Sequence, residues 1–340
     1  MNQGSKNLKV AVVGAGAIGG ICAGLIAKAG YDVQVVVRRP EHADEIMSKG
    51  IRISGIRGSH RVKIQAVSRI EDMKADRDVV LLGVKATAMT DVVEKMDLKP
   101  SAVLVSLQNG FCEQALARII GPDRVMGCVT GWGATMHGAC DLEMTSLGDF
   151  ILGSMDNKED PRLEQVQEIL NHVLETKISP NIQGSLYSKL IINSCITSTG
   201  ALCGLALGPM LAKKRVRQVF LEIMKEAMAV ARGLDIKVEV FAGRLNYYTF
   251  LKAGGAFAEW KRHLFLRILG FKYRRLKSSS LQSLERGEKT EIEFLTGFIT
   301  SNARNLGIPV PVNDQVLTMV REIEAGRRKI SSANIDQIQF

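Results

Sequence analysis

Three residues in one stretch of the chain have types and spacing that suit proton transfer to a substrate. Lys189, Asn193 and Thr197 follow one another at intervals of four residues, and in an α-helix this spacing places side chains on one face. Most of the neighbouring residues are apolar, so this face would be a polar stripe on a buried helix. A lysine at the mouth of such a stripe is a candidate proton donor.

The same stretch, residues 189–212, has the length of a membrane-spanning helix. No charged residue separates Lys189 from Lys213. However, Asn193, several hydroxyl residues, the glycines and Pro209 would make a poor lipid-facing surface. A domain of alternating strands and helices precedes the stretch, and no flanking topology signal accompanies it. We therefore predict the buried central helix of a second domain and no integral membrane segment.

A glycine-rich loop near the start of the chain has the pattern that binds the pyrophosphate of a dinucleotide. The apolar run 8–13 leads into Gly14, Gly16 and Gly19, and apolar residues then recur at helical spacing through residues 18–29. The first glycine permits a tight turn, the second lets the backbone approach a phosphate, and the third lets helix and strand pack closely. The predicted cofactor contacts in this loop are Gly14, Gly16, Ala17, Ile18 and Gly19.

The end of the second predicted strand, residues 33–37, distinguishes NAD from NADP. NAD-dependent proteins usually have an acid there to bind the ribose 2′-hydroxyl, whereas NADP-dependent proteins supply an arginine. Here Arg38 and Arg39 follow the strand, with no acid before Glu41, and Asp32 precedes it. We predict NADP(H) as the cofactor, with Arg38 on the 2′-phosphate. The alternative is two solvated surface arginines.

Two further buried-strand patterns are each followed by a polar residue. Residues 79–84 lead into Lys85, and residues 103–107 lead into Gln108 and Asn109. In a doubly wound sheet, ligands lie beyond the carboxyl ends of the strands. Lys85 and Asn109 are therefore predicted to lie where a nicotinamide riboside or a substrate binds.

Size and composition indicate an ordinary two-domain protein. The 340 residues are 46% hydrophobic and 24% charged, as in typical soluble chains. The six cysteines have no metal-binding or redox spacing, and we expect them to be reduced and buried in a cytoplasmic protein without a signal peptide. The net charge of +10 permits an anionic partner. The five histidines form no constellation with the polar stripe, so neither histidine catalysis nor a metal site is predicted.

The order of the predicted elements separates two domains. In residues 1–182 strands alternate with helices, which predicts a mostly parallel doubly wound sheet. In residues 183–340 helices follow one another without strands, so the second domain is predicted to be all-α.

Five segments match one known family in their order and approximate spacing. They are VVGAGAIGG at 12–20, LLGVKA at 81–86, SLQNG at 106–110, SKLIINSCITSTGAL at 188–202 and SSSLQSLERGEKTEIEFLTGFI at 278–299. On these segments the chain resembles the ketopantoate reductases (2-dehydropantoate 2-reductases) over nearly its whole length. The resemblance implies a Rossmann domain followed by a helical domain of 6-phosphogluconate dehydrogenase-like type. It also implies a homodimer and NADPH-dependent reduction of a 2-oxo acid, ketopantoate, to pantoate in pantothenate biosynthesis.

The resemblance further implies roles for single residues. Lys189 matches the family's catalytic lysine, Asn193 the asparagine one turn beyond it, and Glu291 the carboxylate of its T-E-I motif. Ser279 matches a serine that helps to hold the substrate carboxylate. Asn109 matches the family's asparagine that touches both cofactor and substrate. Lys85 matches a lysine near the ribose, and Arg38 matches the arginine at the 2′-phosphate.

Three positions depart from the family's pattern. Thr197 replaces the second asparagine of the helix, Ser283 replaces the usual aspartate, and Ala88 replaces a frequent glutamine. Thr197 and Ser283 would face the 4-hydroxyl end of ketopantoate. The same chemistry on a different 2-oxo acid therefore stays open.

Residues 244–277 form an insertion without a counterpart in the compact members of the family. They contain nine lysines and arginines, one acid (Glu259) and several aromatic residues. We favour a helical hairpin packed on the domain or across a dimer interface, with its basic face in water. The alternatives are peripheral contact with an anionic membrane, a lid over an anionic substrate, and the docking surface of a non-catalytic NADP-binding protein. Nucleic acid is not predicted as a partner.

Overall fold

The structure is a computed structural model that describes residues 7–340. By its internal contacts the chain divides into two compact units. The first runs to Gln108 and resumes at Cys112–Gln183, and the second comprises Asn109–Phe111 and Gly184–Phe340. The domain limits 1–182 and 183–340 stay a prediction. These limits place residues 109–111 in the first domain, whereas their contacts place them in the second unit.

A mostly parallel eight-stranded sheet is the framework of the first unit. The strands are β1 (Lys9–Val13), β2 (Asp32–Val36), β3 (Ile51–Gly55), β4 (His60–Val62), β5 (Gln65–Val67), β6 (Val79–Leu82), β7 (Val103–Ser106), β8 (Val125–Thr130), β9 (Gly133–Gly138), β10 (Asp141–Ser146), β11 (Phe150–Ser154) and β12 (Thr176–Ile178). The sheet has the order β12-β11-β8-β7-β6-β1-β2-β5, and only the pair β11–β8 is antiparallel. Its central strands are buried runs rich in valine and leucine, as expected for parallel strands covered on both faces. The predicted fold class is confirmed.

The strand order creates a topological switch point between β1 and β6. From β1 the chain builds outward through β2 to β5, and it then crosses back to add β6, β7 and β8 on the other side. Ligands of open α/β sheets bind beyond the carboxyl ends of the strands at such a point. The glycine loop follows β1 at this edge of the sheet.

A second sheet of four strands, in the order β4-β3-β10-β9, is a feature that the sequence does not predict. Of the four strands within residues 125–154, β8 and β11 lie in the large sheet, and β9 and β10 lie in the small one. The helices of the first unit are α1 (Ala17–Lys28), α2 (Pro40–Lys49), α3 (Met89–Val93), α4 (Glu113–Ile120) and α5 (Arg162–Asn171). Gly20 and Gly24 of α1 lie against Leu142 and Ile53 of the small sheet, where an added Cβ would be 2.4 and 2.5 Å from those side chains.

The second unit is built of helices, as predicted. They are α6 (Ile182–Asn193), which begins at the end of the first unit, α7 (Thr199–Cys203), α8 (Leu207–Ala212), α9 (Lys214–Gly233), α10 (Tyr247–Phe250), α11 (Ala256–Lys272), α12 (Ser279–Glu285), α13 (Thr296–Leu306), α14 (Pro311–Glu324) and α15 (Ala333–Asp336). The long helix α9 buries a regular apolar face that includes Val216, Phe220 and Ile223. In the described residues of this unit, strand pairing is limited to an isolated bridge between Phe241 and Leu245.

The stretch 189–212 is not one continuous helix, which corrects the sequence prediction. α6 ends at Asn193, and a π-helical turn occupies Ser194–Ser198. α7 then ends at Cys203, and its C-cap Gly204 has a left-handed backbone with φ of +70°, a conformation that glycine adopts without steric cost. None of the helices described for residues 7–340 combines the length and hydropathy required to cross a bilayer.

Two threonine hydroxyls accompany the π-helical turn. Thr197 donates to the carbonyl oxygen of Asn193, and Thr199 donates to that of Cys195. Such bonds to the carbonyl four residues earlier compete with the backbone ladder of a helix, and π-helical turns are frequent at functional sites. The polar stripe that begins at Lys189 therefore loses its regular spacing after Asn193.

Residues 244–277 do not form the predicted hairpin. They contain the one-turn helix α10 and the long helix α11. One face of α11 is buried through Arg262, Leu266 and Gly270, and a Cβ on Gly270 would lie 2.7 Å from the Cβ of Leu211 in α8. The main element of the insertion is therefore one long helix, α11, which packs closely against α8.

Candidate active site

The loop between β1 and α1 has the geometry of a phosphate cradle. Gly14 has φ of +100°, and a Cβ there would lie 2.6 Å from the backbone nitrogen of Val84. A Cβ on Gly19 would lie 2.0 Å from the carbonyl oxygen of Gly14, so helix and strand require a glycine at this contact. By contrast, a Cβ on Gly16 would meet no atom within 4 Å. The middle glycine therefore borders open space, as a ligand-facing backbone requires.

The start of α1 is suited to an anion. Gly16 is its N-cap, no side chain caps the helix, and its first turn contains no acid. Gly16 is exposed, and Ala17 and Ile18 are half-buried. Backbone N–H groups and the partial positive charge at a helix N-terminus attract phosphate. A dinucleotide pyrophosphate therefore fits the loop.

Gly83 belongs to this cradle although the sequence analysis does not single it out. It follows β6, and its N–H donates to the carbonyl oxygen of Val13 at 2.8 Å. A Cβ on Gly83 would lie 3.0 Å from the carbonyl oxygen of Gly14. A glycine directly after a buried strand is the signal that would have identified it, because such a glycine often marks a close backbone approach.

Arg38 and Lys85 are exposed cations that follow the carboxyl ends of β2 and β6. Arg39 is also exposed and is the N-cap residue of α2. Asp32 is the first residue of β2 rather than a residue before it, and it pairs with the buried Arg77 at 3.2 Å. The acid thus lies at the amino end of the strand, and the carboxyl end carries positive charge.

A polar cluster lies at the end of α6 in the second unit. Lys189 and Asn193 are half-buried there, whereas the residues from 184 to 188 and from 190 to 192 are buried. The Nδ2 of Asn193 donates to Oδ1 of Asn109 at 3.5 Å, a long hydrogen bond. The structure thus places Asn109 beside Asn193, and Lys189 lies one turn before Asn193 on the same helix.

The segment Asn109–Phe111 is held within the second unit by the turn that follows Glu291. The N–H of Phe111 donates to the carbonyl oxygen of Phe294 at 3.3 Å. Gly110 has φ of +100°, and a Cβ there would lie 2.5 Å from the same oxygen. Glu291 is half-buried and immediately precedes this turn. The contact therefore joins the segment that carries Asn109 to the turn that follows Glu291.

The two predicted hydroxyl ligands have different surroundings. Thr197 is buried, and its hydroxyl donates to the carbonyl oxygen of Asn193 at 2.6 Å. Ser279 is exposed as the first residue of α12. The N-cap is Ser278, whose hydroxyl accepts a bond from the N–H of Leu281 at 3.2 Å. Ser278, and not Ser279, therefore caps α12.

Tyr247 is a contact near the cluster that the sequence analysis missed. Its side chain is buried, and its hydroxyl donates to the carbonyl oxygen of Ser188 at 2.8 Å. Burial raises the pKa of the Tyr247 phenol well above its ordinary value, so the hydroxyl keeps its proton and remains a donor. The insertion is thus bonded to the backbone next to Lys189. No local sequence pattern predicts this contact, because the two residues are distant in the chain.

Two family descriptions match the chain. "Ketopantoate reductase PanE/ApbA" matches residues 10–157, and "Ketopantoate reductase PanE/ApbA C terminal" matches residues 181–324. A 2-dehydropantoate 2-reductase of Archaeoglobus fulgidus is 28% identical over 320 residues, which cover 94% of this chain and 98% of the relative. A 2-dehydropantoate 2-reductase of Pyrococcus abyssi is 28% identical over 321 residues, with the same coverage.

Solved structures share the fold. A PanE/ApbA family ketopantoate reductase from Ralstonia eutropha JMP134 has a TM-score of 0.80 at 28% identity, covering 95% of this chain and 100% of the other. A D-mandelate dehydrogenase solved with NADH and anilino(oxo)acetate has a TM-score of 0.78 at 17% identity, covering 94% and 99%, and is similar in fold alone. Because the two family descriptions together match most of its length, the chain belongs to the ketopantoate reductase family of oxidoreductases.

Proposed function

We propose that the protein reduces a 2-oxo acid with NADPH, and that the substrate is ketopantoate and the product pantoate. The observation that carries the proposal is the half-buried pair Lys189 and Asn193 on an otherwise buried part of α6, with Asn109 bonded to Asn193. The relatives named 2-dehydropantoate 2-reductase support the choice of substrate.

The surface after β2 supports NADPH over NADH. Arg38 and Arg39 are exposed there, and the acid of this strand, Asp32, lies at its other end. Arg38 would bind the 2′-phosphate, the loop from Gly14 to Gly19 would hold the pyrophosphate, and Lys85 would lie near the ribose. When bound, the reduced nicotinamide supplies the hydride.

The polar cluster of the second unit would supply the proton and hold the substrate. Reduction of a keto group leaves negative charge on its oxygen, and the Lys189 ammonium would donate a proton to that oxygen. Asn193 and Asn109 are neutral amides that would orient the carbonyl and carboxylate without competing for the proton. Glu291 would orient Lys189 or a substrate hydroxyl, and Ser279 would bind the substrate carboxylate.

Replacement of Lys189 by alanine tests the proposed general acid. We expect Lys189→Ala to lower kcat by about 10²–10⁴-fold, the usual contribution of a positioned proton donor. NADPH affinity, measured by nucleotide fluorescence, should stay unchanged because the cradle is built from other residues. The exposed Lys329 is a matched control, and Lys329→Ala should leave kcat unchanged. Near-normal turnover of Lys189→Ala would remove this residue from the mechanism.

A second candidate is the same reaction on a 2-oxo acid without a 4-hydroxyl group. It is favoured by Thr197, whose hydroxyl hydrogen is committed to the carbonyl oxygen of Asn193. A panel of 2-oxo acids that includes ketopantoate, followed by the loss of NADPH absorbance, separates the two candidates. The highest kcat/KM for ketopantoate supports the first, and a higher value for an acid without the hydroxyl supports the second. No turnover of any 2-oxo acid would overturn both.

A further inference from the structure

The solvent-facing side of α11 carries a continuous apolar ridge. Its members are Phe257, Trp260, Leu264, Ile268 and Phe271, which are 67, 57, 39, 59 and 73% exposed. They recur at intervals of three and four residues, so they share one face of a helix that is about 25 Å long. This face lies opposite the buried one at Arg262, Leu266 and Gly270. Exposed apolar patches of this kind mark interaction surfaces.

Cations border the ridge. The Lys261 ammonium lies 4.4 Å from the ring centre of Phe257, and the Arg274 guanidinium lies 5.6 Å from that of Phe271. Lys272 lies over Tyr273 at 5.3 Å. The single acid of the insertion, Glu259, is paired with Arg262 on the buried side. The exposed side of α11 therefore combines apolar rings with uncompensated positive charge.

The contacts that hold α11 on the second unit keep the ridge exposed to solvent. Arg262 is buried and donates to the carbonyl oxygens of Phe250 and Lys252, which fixes the start of the helix on the preceding segment. Gly270 permits the close contact with Leu211 near the other end. A rotation that buried the ridge would break both attachments, so its exposure is a property of the packed unit.

We propose that this ridge docks on the surface of a membrane rich in anionic lipids. Helices of this kind lie in the interface with aromatic and aliphatic side chains among the acyl chains and lysines at the headgroups. A second copy of the chain is a poorer occupant, because a self-complementary contact would bring two sets of cations together, and the exposed face of α11 has no acid to place between them. The proposal is independent of the reductase reaction.

Vesicle sedimentation tests the docking with the full chain. Vesicles of phosphatidylcholine with 30% phosphatidylserine should pellet the protein, whereas pure phosphatidylcholine should pellet much less, and added salt should release it. The emission of Trp260, taken as the difference between wild type and Trp260→Phe, should shift to shorter wavelength with the anionic vesicles. The absence of sedimentation with anionic vesicles would overturn the proposal.

Matched variants locate the contact. Trp260→Ser with Ile268→Ser should weaken vesicle binding by roughly 10- to 100-fold, and Lys261→Gln with Lys272→Gln by roughly fivefold per charge. The control Ile56→Ser with Leu147→Ser removes comparably exposed apolar residues of the first unit and should change nothing. Circular dichroism should give each variant the helix content and the melting temperature of the wild type.

The variants also distinguish other occupants. Unchanged vesicle binding of both α11 variants would overturn the proposal by placing the contact elsewhere. Sedimentation velocity measures the oligomeric state and so tests whether the ridge binds a second copy of the chain. The contrary result is a wild-type dimer that does not bind vesicles and that becomes a monomer in the double variant Trp260→Ser with Ile268→Ser. This result would overturn membrane docking and assign the ridge to a second copy of the chain.

Discussion

Asn193 is the residue around which the polar cluster of the second unit is arranged. Its side chain bonds to Asn109, its carbonyl oxygen accepts the Thr197 hydroxyl, and Lys189 lies one turn before it. The side-chain amide thus contacts the separate segment that carries Asn109, and the backbone carbonyl is bonded within the helical stretch itself. In the proposed reaction these contacts would orient Asn193 toward the substrate, as catalysis requires of its binding groups.

Arg38 is the residue that we expect to determine cofactor choice. Arg38→Ala should raise the Kd of NADPH by about 10- to 100-fold, as the loss of a charged hydrogen bond would, and leave that of NADH nearly unchanged. Fluorescence titration with both nucleotides measures the difference. Arg69, an exposed arginine of the same unit, provides the control Arg69→Ala. Equal weakening of both nucleotides by Arg38→Ala would contradict an interaction with the 2′-phosphate.

At the scale of elements, two glycines of the β1–α1 loop have different surroundings. Gly16 has an extended backbone that alanine also adopts and open space around a Cβ, whereas a Cβ on Gly19 would collide with the carbonyl oxygen of Gly14. Gly16→Ala should therefore leave the melting temperature unchanged without cofactor and weaken NADPH binding by about 1–3 kcal/mol.

The matched substitution Gly19→Ala should lower the free energy of unfolding by about 1–3 kcal/mol or more without cofactor, because strand and helix must move apart. Thermal melting with and without NADPH measures both variants. A large loss of stability in Gly16→Ala, or none in Gly19→Ala, would contradict the roles that the geometry assigns.

The contact between α9 and α11 is expected to depend on pH. Nδ1 of His263 accepts a hydrogen bond from Nε of Arg217 at 3.3 Å, which requires the neutral ring. Burial, and then the charges of Arg217 and Lys214, lower the pKa of His263 below its ordinary value of 6.5, against an opposing effect of Glu259. The stabilisation is thus complete above pH 6.5 and is lost as the pH falls through the lower pKa of the folded state.

His263→Gln isolates this effect because glutamine offers an acceptor and does not titrate. The melting temperature of the wild type should fall relative to that of His263→Gln when the pH is lowered from about 7.5 to about 5. Parallel pH profiles of the two proteins would show that protonation of His263 does not weaken the contact.

At the scale of the whole molecule, cofactor binding should raise stability through the first unit. A ligand that binds the folded chain alone stabilises it by about 2.7 kcal/mol at one hundred times its Kd. NADPH at that excess should therefore raise the melting temperature, and NADH at the same concentration should raise it less. Gly16→Ala is the control, in which the NADPH effect should shrink. An equal shift with both nucleotides would contradict the NADP preference.

The local pattern of the sequence determined the glycine-rich loop after β1 and the pair at the end of α6. A buried strand, three spaced glycines and a helix are consecutive in the chain, and Lys189 and Asn193 are one turn apart on one helix. Each of these arrangements follows from the geometry of neighbouring residues, so spacing alone predicts it. The class of the large sheet likewise follows from the alternation of strands and helices.

Tertiary structure alone decided the features that depend on residues distant in sequence. The four-stranded sheet, the contact of Gly110 with Phe294 and the bond from Tyr247 to Ser188 join separate segments. The π-helical turn arises in a stretch whose apolar spacing is helical throughout. Both faces of α11 carry apolar residues, so periodicity does not distinguish them. The close approach of Gly270 to α8 buries one face and leaves the ridge in solvent, because packing selects the face that lets two helices come closest.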